Sequence, residues 1–295
     1  MKKLSTCIIL LILLFLCGCS FREETADIAA TTLPIYEFSC RICDGTGLSV
    51  SRLVTESVSC LHDYTLQINQ MRMIEGADTV ILSGAGLEDF MEDALSASRH
   101  IIDASEDIPL HCATHTHGHE SSEDQHAHLH ESDPHIWLSP TNAKIMSENI
   151  CEKLSALYPE HADAFRHNLS KLLEDLSSLE EYGHNALSDL QTREIITFHD
   201  GFSYLAEEFD IAILEAVEEE SGSEASAAEL IHLIQIVNAH HLPALFTERN
   251  GSTAAASVIA AETGAQCYEL DMGLSGDSYF EAMYHNFDTL REALQ

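Results

Sequence analysis

Basic side chains are scarce in this chain. Only 14 Lys and Arg stand against 49 Asp and Glu, a formal net charge of −35. Nucleic-acid binding draws much of its affinity from Lys and Arg on phosphates, so no nucleic-acid partner is expected. An acidic surface instead favours solubility and gathers cations near the protein. Long apolar runs are also missing. Beyond the first twenty residues no segment is apolar enough to cross a bilayer. No His-Glu-x-x-His pair occurs, which argues against a zinc hydrolase built on that helical motif. Proline is absent from residues 160–190, and the one glycine there, Gly183, lies near the far end.

The N-terminus reads as an export signal. Lys2 and Lys3 precede an apolar stretch, residues 8–16, that is too short for a stable membrane span. The stretch ends in Leu16-Cys17-Gly18-Cys19, which is similar to the lipobox of bacterial lipoproteins. Cleavage after Gly18 and lipid on Cys19 would hold a soluble domain on the extracytoplasmic face of the membrane. Six cysteines follow: Cys40, Cys43, Cys60, Cys112, Cys151 and Cys267. Export permits their oxidation, but spacing does not define the pairing. Cys40-x-x-Cys43 has the spacing of a redox pair without a thioredoxin-like context.

Hydrophobic patterning predicts short strands near residues 27–32, 49–55, 78–83 and 100–103, and again near 194–198, 211–217, 244–247 and 267–270. Helical patterns lie between them, the last over 279–294. Strands alternating with helices predict an α/β protein with two lobes, each a mainly parallel sheet flanked by helices. In the proline-free segment Phe165, Leu169, Leu172, Leu173, Leu176, Leu179, Tyr182, Ala186 and Leu190 recur at steps of three and four. About thirty residues at ~1.5 Å each make a rod of roughly 45 Å, wider than one lobe. It is expected as a spine joining both lobes, with a coiled-coil partner surface as the alternative. The expected organisation is a signal peptide over 1–18, an N-terminal lobe over 19–159, the connecting helix over 160–190 and a C-terminal lobe over 191–295.

The histidines fall into two kinds. His111, His115, His117, His119, His126, His128 and His130 lie in a polar, acidic stretch with no apolar run. Such a tract is expected to be disordered and to bind metal weakly and exchangeably. The others sit beside ordered elements. His62 follows the second strand, and His135 lies in Asp133-Pro134-His135-Ile136-Trp137-Leu138 just before a helix. His199 follows Ile195-Ile196-Thr197-Phe198, and Asp271 follows Cys267-Tyr268-Glu269-Leu270, both at strand carboxyl ends. Open α/β sheets bind ligands there. Three imidazoles and one carboxylate would form a tetrahedral site suited to Zn2+. A single histidine at a strand end is more often a satisfied polar residue, so the weight rests on the set.

The chain resembles the zinc/manganese solute-binding lipoproteins of ABC importers. The resemblance rests on Thr31-Thr32-Leu33-Pro34-Ile35-Tyr36, His62-Asp63-Tyr64, the 133–138 stretch, Ile196-Thr197-Phe198-His199-Asp200, Asp277-Ser278-Tyr279 and His285-Asn286. It implies two α/β lobes joined by a long helix, metal in the cleft, and His62, His135, His199 and Asp271 as ligands. Histidine at 199, together with a histidine-rich loop over 111–130, implies zinc rather than manganese. Three positions depart from the family pattern: Leu61, where proline usually precedes the first histidine; Ser139, where aspartate follows Trp-Leu; and Arg249, where proline is common. The resemblance implies a monomeric, lipid-anchored zinc-capture protein, not an enzyme, that serves an ABC permease. The competing expectations are manganese or iron capture, a metal-dependent adhesin, and a zinc hydrolase with a catalytic water.

Overall fold

The computed structural model describes residues 26–56, 61, 64–111, 132–217 and 225–295. The signal peptide, Cys19, Cys60, His62, Cys112 and the tract histidines from His115 to His130 lie outside the described residues. No helix among the described residues is long and apolar enough to cross a membrane.

Two four-stranded parallel sheets carry the fold. The first contains β1 (Ile28–Ala30), β2 (Val50–Arg52), β3 (Thr79–Leu82) and β4 (His100–Asp103), in the order β2-β1-β3-β4. The second contains β5 (Glu194–Thr197), β6 (Ala212–Ala216), β7 (Ala244–Glu248) and β8 (Gln266–Leu270), in the order β6-β5-β7-β8. The two halves thus repeat one topology. Their central strands β1 and β7 are buried along their whole length, as parallel strands covered by helices on both faces must be. The α/β, two-sheet architecture expected from the sequence is the one observed.

Helices α1 (Leu33–Ile42), α2 (Ile68–Gly76), α3 (Glu92–Leu95) and α4 (Pro140–Leu157) belong to the first half. The long α5 (Ala162–Ala186) follows, then α6 (Ser203–Glu208), α7 (Ala227–His240), α8 (Ala254–Thr263) and α9 (Tyr279–Leu294). Pro34 and Pro140 begin α1 and α4, where the missing N–H is harmless and φ is already helical. Ser139 caps α4 by accepting the Asn142 N–H at 3.0 Å, so serine does the work of a capping aspartate here.

The long helix is a spine. Its inner face buries Phe165, Leu172, Leu176 and Leu179, side chains that join one core cluster with Phe38 and Ile42 of α1 and Phe287 and Leu290 of α9. Polar contacts repeat the double attachment. Asn168 donates to the Ile42 carbonyl at 3.1 Å, and Tyr182 donates to Asp288 Oδ1 at 2.7 Å. The observed 25-residue helix is shorter than the patterned stretch at both ends: Pro159 opens a separate 3-10 turn, Pro159–His161, before it, and the helix stops at Ala186 with Leu187 as its C-cap.

Further contacts stitch the two halves directly. Arg52 at the end of β2 donates to the carbonyls of Leu274 and Gly276 at 3.1 and 2.9 Å. Glu37 of α1 accepts the Tyr279 N–H at 2.6 Å, at the first turn of α9. The chain's one tryptophan, Trp137, is fully buried; its Nε1 donates to the Met272 carbonyl at 2.7 Å, while Tyr279 donates to the Trp137 carbonyl at 2.8 Å. These bonds set the segment carrying His135 against the segment carrying Asp271.

Candidate metal centre

Strand order in the second sheet reverses between β5 and β7. A crevice opens at the carboxyl ends of strands at such a reversal. His199 lies just beyond the end of β5, and Glu248 is the last residue of β7. His135 arrives from the other half on the 3-10 turn Ile136–Leu138, which Trp137 anchors.

The structure brings two of the four expected ligands together. His135 Nε2 and His199 Nε2 are 3.5 Å apart, with His135 wholly buried and His199 nearly so. Zinc–nitrogen bonds of about 2.0–2.1 Å at a tetrahedral angle would separate two such nitrogens by roughly 3.3–3.4 Å. Each ring has a carboxylate behind it. His135 Nδ1 is 2.8 Å from Asp133 Oδ1, and His199 Nδ1 is 3.5 Å from Glu248 Oε2. A proton on each Nδ1 leaves both Nε2 lone pairs aimed at the same region, the arrangement that carboxylate–histidine pairs give to metal ligands.

Asp133 is the most constrained residue of the site. Its Oδ1 also accepts the His135 N–H at 2.9 Å, and its Oδ2 accepts the Ser203 hydroxyl. Burial pushes its carboxyl up, but the hydrogen bonds from His135 and Ser203 outweigh that and hold it below the usual aspartate value. The carboxylate therefore stays charged behind His135. Gly201 closes the site on another side: a Cβ there would lie 2.7 Å from His199 Cδ2 and 2.9 Å from His135 Nδ1.

Asp271 lies at the end of β8 and is buried, but its oxygens are engaged elsewhere. Oδ1 accepts the Gly273 N–H at 2.8 Å, and Oδ2 lies 2.5 Å from Arg249 Nη1. Among the described residues no group of three or more His, Cys, Asp or Glu is placed so that it could hold a metal ion. His111 lies apart from the pair, with its ring against Tyr204 and its nitrogens on Ser203 and Glu207.

Sequence reasoning passed over Asp133, Gly201, Ser203 and Glu248. The Asp-x-His spacing was a signal for Asp133. The other three become neighbours of the histidines only through the fold. The cysteines do not support a redox pair: Cys40, Cys43, Cys151 and Cys267 are unpaired, and burial raises the Cys43 thiol to about 12, the opposite of a reactive thiolate.

The fold is that of a two-lobed α/β protein with a buried imidazole pair where its halves meet. Residues 28–293 match the family described as zinc-uptake complex component A periplasmic, and the chain belongs to that family. The zinc-binding lipoprotein AdcA of Streptococcus pneumoniae strain R6 is 28% identical over 313 residues, covering 99% of this chain and 61% of AdcA. The chain thus spans about three-fifths of that relative's length. The crystal structure of ZnuA superposes with a TM-score of 0.78 at 28% identity, covering 92% of this chain and 100% of ZnuA. Zn(II)-bound AdcA of S. pneumoniae gives a TM-score of 0.75 at 26% identity, covering 92% of this chain and 58% of that one.

Proposed function

We propose that the protein is the extracytoplasmic solute-binding component of a zinc ABC importer. It captures Zn2+ between its two halves and hands it to the permease. The observation that carries this reading is the buried Nε2 pair of His135 and His199 at 3.5 Å, each ring backed by a carboxylate. His62 supplies the third nitrogen and Asp271 the fourth donor in this reading. Imidazole favours zinc over manganese, which prefers oxygen. In this reading the metal is cargo, and Asp271 rather than a reactive water completes the shell. Lipid on Cys19 keeps the protein beside its permease, and the zinc-binding lipoproteins among its relatives support that placement.

The test is metal content and competition titration of the signal-less protein. Wild type is expected to hold one zinc tightly and to prefer it to manganese. His135→Ala and His199→Ala are each expected to remove most of the tight binding. Tight zinc retained by the double variant would sink the assignment. For the anchor, Cys19→Ala is expected to release the protein from membranes or leave its signal uncut.

A further inference from the structure

His111 begins the histidine tract in sequence, but its surroundings set it apart. Its ring stacks on Tyr204 with centroids 4.1 Å apart and planes 11° from parallel. Nδ1 lies 3.0 Å from Ser203 Oγ, and Nε2 lies 2.5 Å from Glu207 Oε2. The Ser203 hydroxyl hydrogen is directed to Asp133 Oδ2, so Ser203 can only accept from His111. The Glu207 carboxylate likewise only accepts. Both ring nitrogens of His111 thus face acceptors.

The backbone of His111 reaches the same target. Its carbonyl accepts the Asp133 N–H at 3.0 Å. Its N–H donates to Tyr204 OH at 3.0 Å, and that hydroxyl donates to the Asp133 carbonyl at 3.0 Å. The backbone N–H and C=O of Asp133 and its Oδ2 are thus tied directly to His111 or to a residue that His111 holds. The remaining oxygen, Oδ1, grips His135 through both its N–H and its Nδ1. A continuous polar chain runs from Glu207 through His111, Ser203 and Asp133 to His135, and α6 supplies its steps from the second half of the molecule.

We propose that His111 is a positioning residue for zinc capture: through Ser203 it fixes Asp133, and through Asp133 it holds His135 with its proton on Nδ1 and its Nε2 lone pair facing the metal. This rests on the reading of His135 as a ligand. Partners that fix a ligand's tautomer and orientation are worth ~10- to 100-fold in metal affinity when removed; His111 acts two steps away, and the lower end of that range is expected.

The experiment uses the signal-less protein and two readouts: zinc competition titration, and the ring tautomer of His135 in the metal-free protein from long-range proton–nitrogen NMR. His111→Ala keeps the backbone contacts and loses the ring. His111→Asn restores a donor near Nδ1, facing Ser203, whereas His111→Gln restores one near Nε2, facing Glu207. His111→Ala, His111→Gln and Ser203→Ala are each expected to weaken the single tight zinc by about tenfold and to leave His135 in mixed tautomers. His111→Asn is expected to stay close to wild type in both readouts. Combining His111→Ala with Ser203→Ala is expected to cost little more than either alone, because both break the same chain. The proposal is overturned if His111→Ala leaves affinity and tautomer unchanged, if it removes only additional weak zinc, or if His111→Asn fails as His111→Ala does. The last result would mean that stacking on Tyr204, not donation to Ser203, is what matters. Should wild type hold no tight zinc, the transport reading fails, while the His135 tautomer in the variants still decides the positioning role.

Discussion

Arg249 Nη1 lies 2.5 Å from Asp271 Oδ2, and the two ends of this pair differ in exposure: the Asp271 side chain is 3% accessible and that of Arg249 is 42%. A candidate ligand is thus covered by a side chain that can swing into solvent. Zinc must displace the guanidinium before Asp271 can join the site. Arg249→Ala is therefore expected to tighten zinc binding, by up to about fivefold for a pair with one exposed member. Competition titration reads this directly. If the variant instead loses stability and binds zinc no better, Asp271 is a structural anion and the fourth donor comes from elsewhere.

Gly201 gives a prediction that removes no ligand. A methyl group at this position would meet Met272 Cε at 2.6 Å, His199 Cδ2 at 2.7 Å and His135 Nδ1 at 2.9 Å. The end of Met272 can move aside, but His135 is held by Asp133 and has nowhere to go. Gly201→Ala is expected to splay the two rings and weaken zinc at least tenfold while the protein stays folded, since ligand geometry tolerates only a few tenths of an ångström. Zinc calorimetry beside a melting curve checks it. Wild-type affinity in the alanine variant would show that the site opens before it binds.

Away from the metal centre, Glu88 predicts how stability follows pH. Its carboxyl is buried at the end of the first sheet, where it accepts from Thr31 Oγ1 at 2.6 Å and from the N–H groups of Ser83 and Gly84 at 2.7 and 3.0 Å. Burial outweighs these bonds and raises it from 4.5 to about 7. Between those values the folded protein holds a proton that the unfolded chain has released. The contribution of Glu88 is thus fully present below pH 4.5 and lost as pH rises through about 7, a change of about 3 kcal/mol. Urea unfolding of the metal-free protein from pH 5 to 8 is expected to show that decline, and Glu88→Gln is expected to flatten it. An unchanged slope in the variant would assign the decline to other groups.

The first residue of the histidine tract, His111, is bonded to Asp133 just beyond the tract's end. The His111 carbonyl accepts the Asp133 N–H at 3.0 Å, and Tyr204 bonds to both residues. Residues 112–131 can therefore be replaced by a short glycine link without moving His135. Gathering several tract histidines around one ion would order the chain at ~1–2 kcal/mol per residue fixed, a cost that a preformed pair avoids. The shortened protein is expected to keep one tight zinc and to lose only weaker ions. Calorimetry showing loss of the tight zinc would make the tract the primary ligand set.

Much of this protein was legible in its sequence. The β1, β3, β5 and β7 strands are short apolar runs bounded by turn residues, and the α5 stripe repeats at steps that only a helix satisfies. Periodicity is local, so it survives without knowledge of contacts. His199 past a strand end, and His135 after a proline and just before a helix, are expected as ligands on equally local grounds. Tertiary structure decided what those residues face. His135 and His199 are 64 positions apart and meet at 3.5 Å where Ser203 and Tyr204, just past His199, bond to Asp133, just before His135. Arg249 reaches Asp271 because β7 and β8 pair in register. His111 looked like its neighbours in a histidine-rich stretch; Ser203, Tyr204 and Glu207, some ninety positions away on or beside α6, gave it partners that no pattern in composition encodes. Hydrogen bonds of this kind act over a few ångströms in space, and spacing along the chain carries no record of them until the chain has folded.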